Sequence, residues 1–165
     1  MENTLKITVL CIITLIVSLV VPTISNAAGD DDYSINLNYP LKSVLINTEQ
    51  KISARLTSTA DATGLTNARI KVEVSGPATP KVMAKDTLGN DIDVVKEGYW
   101  GPNAGFPVGA NYNVTTEFTA TFPVAGTYTA TISLVDISGG TERTVTSEKM
   151  SMTVGTQIKI IMSGV

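Results

Sequence analysis

Hydrophobic and polar residues alternate along most of the chain. Five stretches show this two-residue period: 33–39, 51–56, 68–74, 117–122 and 127–134. Successive side chains of a strand point to opposite faces, so each stretch predicts a β-strand with one buried and one solvated face. No stretch after residue 28 sustains a helical period, and the pattern therefore predicts an all-β domain.

Turn residues separate the predicted strands. The Gly-Asn pair at 89–90 predicts a two-residue hairpin turn between strands over 81–87 and 91–95. The glycine pair at 139–140 predicts another hairpin, and Pro-Val-Ala-Gly at 123–126 joins two strongly alternating strands. Consecutive short strands joined in this way are typical of a sandwich or barrel.

The alternation changes phase near the end of the chain. Val145 has an odd number, whereas Met150, Met152 and Val154 have even numbers. A β-bulge or a change of sheet over 146–149 would account for the shift. Beyond it, the sequence QIKIIM within 157–162 predicts one more apolar strand, which either packs into the domain or pairs with the edge of a neighbouring subunit.

The first 27 residues have the pattern of a secretory signal. Lys6 precedes an uncharged apolar run over 7–21, and the small residues Ser25 and Ala27 stand at the positions that signal peptidase requires. The alternative is an uncleaved membrane anchor, but this run would rise only about 23 Å as a helix, against about 30 Å of hydrocarbon. We expect cleavage before Ala28 and an extracellular location.

Composition excludes several kinds of chemistry. The chain has no histidine, and its single cysteine, Cys11, lies inside the predicted signal. Ser–His and Cys–His nucleophile pairs, zinc sites with histidine ligands and disulfides in the mature chain are therefore excluded. Removal of the signal takes away Lys6 and Glu2 and leaves the net charge at −3, which argues against a nucleic-acid partner. We expect no enzymatic activity and no required cofactor.

The sequence AGTYTA at 125–130 resembles the tyrosine corner of immunoglobulin-like (Ig-like) domains. The resemblance implies that the hydroxyl of Tyr128 bonds a nearby backbone group and that Gly126 and Tyr128 have structural roles. Ala130 occupies the position of the core cysteine, as in bacterial PKD-like modules without the inter-sheet disulfide.

A second motif is EGYWGP at 97–102, followed by Gly105 and Phe106. With the strand around Tyr128, it resembles Ig-like modules of large cell-surface and S-layer-associated proteins of Gram-positive bacteria, over 41–154. Such modules act as spacers or adhesion units in longer chains. This chain differs in having one module and neither a wall-sorting motif nor S-layer homology repeats.

These observations predict one Ig-like antiparallel β-sandwich of about seven to nine strands. We divide the chain into a signal peptide (1–27), a leader with a candidate first strand (28–40), the sandwich (41–155) and a terminal strand or tail (156–165).

The segment 96–113 is the least periodic part of the predicted domain. It combines four aromatic residues with four glycines and two prolines; the aromatic residues are Tyr99, Trp100, Phe106 and Tyr112. Exposed rings could stack on sugars and make this segment a carbohydrate-binding loop. The interpretation that we favour places Trp100 and Phe106 in the core, where they close one end of the sandwich.

Acidic residues suggest a second candidate site. Asp86, Asp91 and Asp93 flank the turn at 89–90, and three aspartates stand at 30–32. Ca²⁺ binds clustered carboxylate oxygens, so a calcium site is one interpretation. Aspartate is also common at hairpin ends for purely structural reasons, and no complete calcium-loop motif is present.

Two functions fit the sequence. The first is a non-catalytic, secreted module with a structural, adhesive or assembly role at the cell surface. Its partner would be a surface protein, a polysaccharide or another copy of the chain joined through edge strands. The second is a small carbohydrate-binding module that uses the aromatic segment 96–113.

Overall fold

The computed structural model describes residues 31–39 and 44–156. The predicted signal peptide and the predicted strand within 157–162 lie outside these residues. The described part contains eleven strands and one short helix, in the following order. They are β1 (Tyr33–Asn38), β2 (Val44–Leu45), β3 (Gln50–Ser58), β4 (Leu65–Ser75), β5 (Lys81–Lys85), β6 (Asp91–Asp93), α1 (Val94–Glu97), β7 (Tyr99–Trp100), β8 (Phe106–Val108), β9 (Asn113–Thr121), β10 (Gly126–Asp136) and β11 (Arg143–Gly155).

The strands form two sheets. The first has the order β1-β3-β9-β5-β6, and the second has the order β2-β11-β10-β4-β7, with β8 also paired to β4. All of these pairs are antiparallel except β2 with β11. The predicted all-β, Ig-like sandwich is confirmed. The strand count exceeds the prediction because β2, β6, β7 and β8 have only two or three residues and show no period.

The sandwich begins earlier than the sequence division placed it. β1 pairs with β3 along its whole length, with Ile35 opposite Leu56 and Leu37 opposite Ala54. Tyr33 and Ile35 are buried in the core. The candidate first strand is therefore a full member of the first sheet.

The core lies between the sheets and is filled from alternate positions of the long strands. Residues with this placement include Ile52, Leu56, Ile70, Val72, Phe118, Ile132, Leu134, Met150 and Met152. Complete burial of one such side chain contributes about 1.5–3 kcal/mol, so these inward faces determine the register of each strand.

Tyr128 forms the tyrosine corner that the resemblance implied. Its hydroxyl donates a hydrogen bond to the Val124 carbonyl at 2.9 Å, and its ring centroid lies 4.8 Å from that of Phe122. Gly76 leaves room for this ring, because a Cβ atom there would come within 2.4 Å of it. Gly126 has a φ of +142°, and a Cβ atom there would lie 2.5 Å from Pro77.

The phase change in the last strand is a β-bulge, but it lies before the predicted span 146–149. Leu134 pairs with Thr146 and Val135 pairs with Thr144, which leaves Val145 as the extra residue. Val145 is fully buried. At a bulge two residues of one strand oppose one residue of its partner, so the buried positions change from odd to even numbers at Val145 itself.

The hairpin predicted at 89–90 has a longer connection than two residues. β5 ends at Lys85 and β6 begins at Asp91, which leaves a five-residue loop over 86–90. Asp86 stops the strand because its carboxylate accepts hydrogen bonds from the backbone N–H groups of Leu88 and Asn90, both at 2.8 Å. Gly89 then takes a left-handed conformation with a φ of +86°.

The glycine pair at 139–140 does lie in a hairpin loop between β10 and β11. Asp136 ends β10, because its carboxylate accepts hydrogen bonds from the backbone and the hydroxyl of Ser138.

Candidate binding cleft

The segment 96–113 forms an additional edge of the second sheet. Asp93 caps α1 by accepting hydrogen bonds from the backbone of Val95 and Lys96, and Gly98 ends the helix with a φ of +76°. β7 and β8 then pair with β4, so this segment is largely ordered by backbone pairing.

Trp100 and Phe106 pack against the core, as the interpretation that we favoured expects. Their rings meet edge to face with centroids 5.7 Å apart. The Trp100 indole donates a hydrogen bond to the Lys85 carbonyl at 2.7 Å and so joins β7 to the end of β5. Gly105 allows this close packing, because its φ is +80° and a Cβ atom would lie 2.7 Å from the Asn67 backbone.

Tyr112 also faces the interior. Together with Trp100 and Phe106, it lines a small cavity between the sheets. Burial raises the pKa of the Tyr112 phenol. All three rings are half-buried and pack against the core rather than standing free at the surface.

Of the four aromatic residues in this segment, Tyr99 lies on the outer face of the second sheet. The Arg69 guanidinium lies over its ring, 4.0 Å from the centroid. The Tyr99 hydroxyl donates a hydrogen bond to Glu142, which also accepts one from Lys71 at 2.9 Å. The hydrogen bonds from Tyr99 and Lys71 lower the pKa of Glu142, and the bond to Glu142 raises the pKa of Tyr99.

An open cleft of about 300 Å³ lies beside Tyr99 and Arg69. We call it the Arg69 cleft. Two loops line it: the β5–β6 loop at 86–90 and the connection that follows β7. The lining residues are Arg69, Asp86, Thr87, Leu88, Ile92, Glu97, Tyr99, Gly101, Pro102 and Asn103.

The Arg69 guanidinium is incompletely hydrogen-bonded. Its Nη2 atom donates to the Asn103 amide oxygen at a long 3.4 Å. Its Nε atom is buried and has no hydrogen-bond partner within the described residues. A desolvated donor without a hydrogen-bond partner costs free energy.

Leu88 stands at the rim of the Arg69 cleft with 85% of its surface exposed, more than any other large hydrophobic residue among those described. The adjacent Asp86 carboxylate is committed to its own loop. Hydrogen bonds from the Asn90 side chain and from backbone N–H groups lower the pKa of Asp86. These hydrogen bonds close the loop that presents Leu88.

The acidic residues proposed for calcium have separate structural tasks. Asp91 pairs with Lys85 at 2.7 Å, Asp93 caps α1 and Asp86 closes its loop. Within the described residues, no group of three or more aspartate, glutamate, histidine or cysteine side chains could hold a metal ion. Asp30 lies outside the described part, and Asp32 accepts a hydrogen bond from Thr59.

Sequence reasoning found Tyr99 and Asp86 but missed Arg69, Leu88 and Glu142. Arg69 lies on the polar face of an alternating strand, where arginine usually has no special role. The sequence carries no signal for this site. Arg69 comes close to the motif at 97–102 only because β4 pairs with β7.

No helix within residues 31–39 and 44–156 has the length and apolar character needed to cross a membrane.

Comparison with known proteins identifies similar folds only. Neither a scan against protein-family models nor a search of curated proteins finds a match. Among solved structures, that of AvmM, described as catalysing macrocyclization in alchivemycin A biosynthesis, has a TM-score of 0.56 and 11% identity. The match covers 79% of this chain and 93% of that one. This likeness shows a shared fold.

Two structures of a CARDB domain from Pyrococcus furiosus also match, each at 11% identity. The solution structure has a TM-score of 0.48, with 74% of this chain and 94% of that chain covered. The crystal structure, a complex with di-metal ions, has a TM-score of 0.49, with coverages of 76% and 94%.

Proposed function

We propose that the chain is a non-catalytic, secreted Ig-like module that acts by binding at the cell surface. The observation that carries this proposal is the Arg69 cleft, an open depression in which the Arg69 guanidinium makes one long hydrogen bond, to Asn103 at 3.4 Å. Sites that bind ligands combine apolar surface with a few polar groups whose bonds are completed by the ligand. The role is structural, adhesive or assembly-related.

The two loops that line the Arg69 cleft are fixed by the scaffold. The bond from the Trp100 indole to the Lys85 carbonyl joins the two sides. Gly101 has a φ of +111°, and a Cβ atom there would lie 3.1 Å from the Phe106 ring. A cleft that is already ordered loses little conformational entropy on binding.

Secretion is part of the proposal and is supported by the sequence pattern over 1–27. Expression of the full chain in a secreting host, with mass spectrometry of the recovered protein, tests it. We expect a mature protein that begins at Ala28, and retention of the intact chain by Ala27→Phe, because signal peptidase requires a small residue there.

We place the module at the cell surface, in the setting of the Gram-positive surface and S-layer-associated modules that it resembles. Its partner is a surface protein or polysaccharide; a nucleic acid is disfavoured by the net charge of −3. Self-assembly through edge strands is the alternative form of contact. Light scattering of the purified protein separates the two, because a monomer at high concentration rules out self-assembly.

Co-sedimentation with envelopes isolated from the producing cells tests binding through the Arg69 cleft. We expect wild-type protein to sediment with the envelopes and Asn103→Ala to lose about tenfold in affinity. Asn113→Ala is the matched control, because Asn113 accepts a hydrogen bond from Arg55 at 3.0 Å on the first sheet and does not line the cleft. Equal binding by all three proteins would contradict a role for the cleft.

A further inference from the structure

We infer that the Arg69 cleft binds a neutral sugar unit of a surface polysaccharide or glycan. This inference rests on the proposed function, since it names the ligand class of the same cleft. It narrows the carbohydrate-binding interpretation of 96–113, which named Tyr99, Trp100, Phe106 and Tyr112. Tyr99 lines the Arg69 cleft, whereas the other three rings pack against the core.

The cleft offers both kinds of hydrogen-bonding group that sugar hydroxyls need. Each hydroxyl donates one hydrogen bond and accepts others, so a sugar requires donors and acceptors side by side. Arg69 supplies donors, the exposed Glu97 carboxylate supplies acceptors, and the Asn103 amide and Thr87 hydroxyl supply both. The long Arg69–Asn103 bond leaves both side chains able to pair with a ligand.

Apolar surface lies between these polar groups. Leu88, Ile92 and Pro102 line the same cleft, and Leu88 is almost fully exposed. The C–H faces of a pyranose ring are apolar, and their contact with such side chains removes exposed hydrocarbon from water. Contact with the apolar face of a sugar would therefore cover the exposed side chain of Leu88.

Charge favours a neutral ligand over an acidic one. The lining contains one cation, Arg69, and two carboxylates, Asp86 and Glu97. An acidic sugar or a phosphate would gain one attraction and meet two repulsions. A neutral sugar meets no net repulsion and uses the Glu97 carboxylate as a hydrogen-bond acceptor.

Envelope co-sedimentation with chemically treated envelopes tests the inference. Periodate cleaves the vicinal diols of sugars, whereas protease removes surface proteins. We expect cleft-dependent binding to be lost after periodate, to survive protease and to be inhibited by a neutral polysaccharide from a panel of dextran, mannan and β-glucan. Asn103→Ala and Leu88→Ala should each weaken binding about tenfold, and Asn113→Ala should not.

The outcomes separate this inference from the proposed function. If binding depends on Asn103 but resists periodate and is lost after protease, the partner is a protein; the sugar inference is then wrong while the proposed function stands. Competition by polygalacturonate alone would likewise overturn the neutral sugar. If wild-type protein does not bind envelopes at all, both fail.

Discussion

Tyr128→Phe isolates one hydrogen bond in the core of the sandwich. The substitution keeps the ring, which is 2% exposed and packs against Phe122, and removes the hydroxyl that bonds the Val124 carbonyl. Val124 is 45% exposed in its turn, so water can reach the carbonyl that loses its partner. We therefore expect the net value of an ordinary hydrogen bond, about 1 kcal/mol, rather than the penalty of up to about 3 kcal/mol for a buried unpaired group.

Urea unfolding of the purified protein measures this difference. The midpoint should fall while the dependence of the unfolding free energy on urea stays unchanged, because the surface exposed on unfolding is the same. Tyr128→Ala should lower the free energy of unfolding by more, about 3–5 kcal/mol, because it also removes the buried ring.

Tyr99→Phe is the matched control, since the Tyr99 hydroxyl bonds Glu142 on the outer surface. We expect it to cost less than about 0.5 kcal/mol, because water replaces an exposed partner at little cost. If Tyr128→Phe unfolds at the wild-type midpoint, the tyrosine corner does not stabilise this domain and our reasoning is refuted.

Three further predictions address the segment 96–113 and its surroundings. Gly105→Ala should destabilise the protein by more than about 1 kcal/mol in thermal unfolding, owing to its positive φ and close backbone contact, whereas Gly109→Ala, which meets no atom within 4 Å, should cost far less. The pKa of Glu142 is lowered in the folded state, so its contribution to the stability of the fold is present above the unfolded carboxyl pKa and is lost as the pH falls through the folded value. The loss of stability on acidification should therefore be smaller in Glu142→Gln than in the wild type. Trp100→Phe should lower the unfolding midpoint, because the indole bond to the Lys85 carbonyl is lost, and an unchanged midpoint would contradict that role.

The fold was largely predictable, because the long strands carry their own period. β3, β4, β9 and β10 each coincide with a stretch of alternating residues. The short strands β7 and β8 were not predictable, since two or three residues have no period and their order comes from pairing with β4. Alternation also predicted a solvated outer face for 127–134, yet Ser133 on that face is buried.

The candidate binding site was less predictable than the fold. The composition of 96–113 indicated an unusual segment, and the packing of Trp100 against the core followed from its size. The Arg69 cleft depends on three separate parts of the chain, which come together only when β4 lies next to β7 and the 86–90 loop folds towards them. No sequence spacing encodes that arrangement.

The parallel pair of β2 and β11 has a mechanical consequence. Val44 and Leu45 lie opposite Val154 and Gly155, and the Ile46 N–H donates to the Gly155 carbonyl at 3.0 Å. Tension that pulls residue 44 and residue 155 apart along the strands would act on these bonds in shear, so they must break together rather than one after another. A load applied between these two points of the chain would be resisted at this pair of strands.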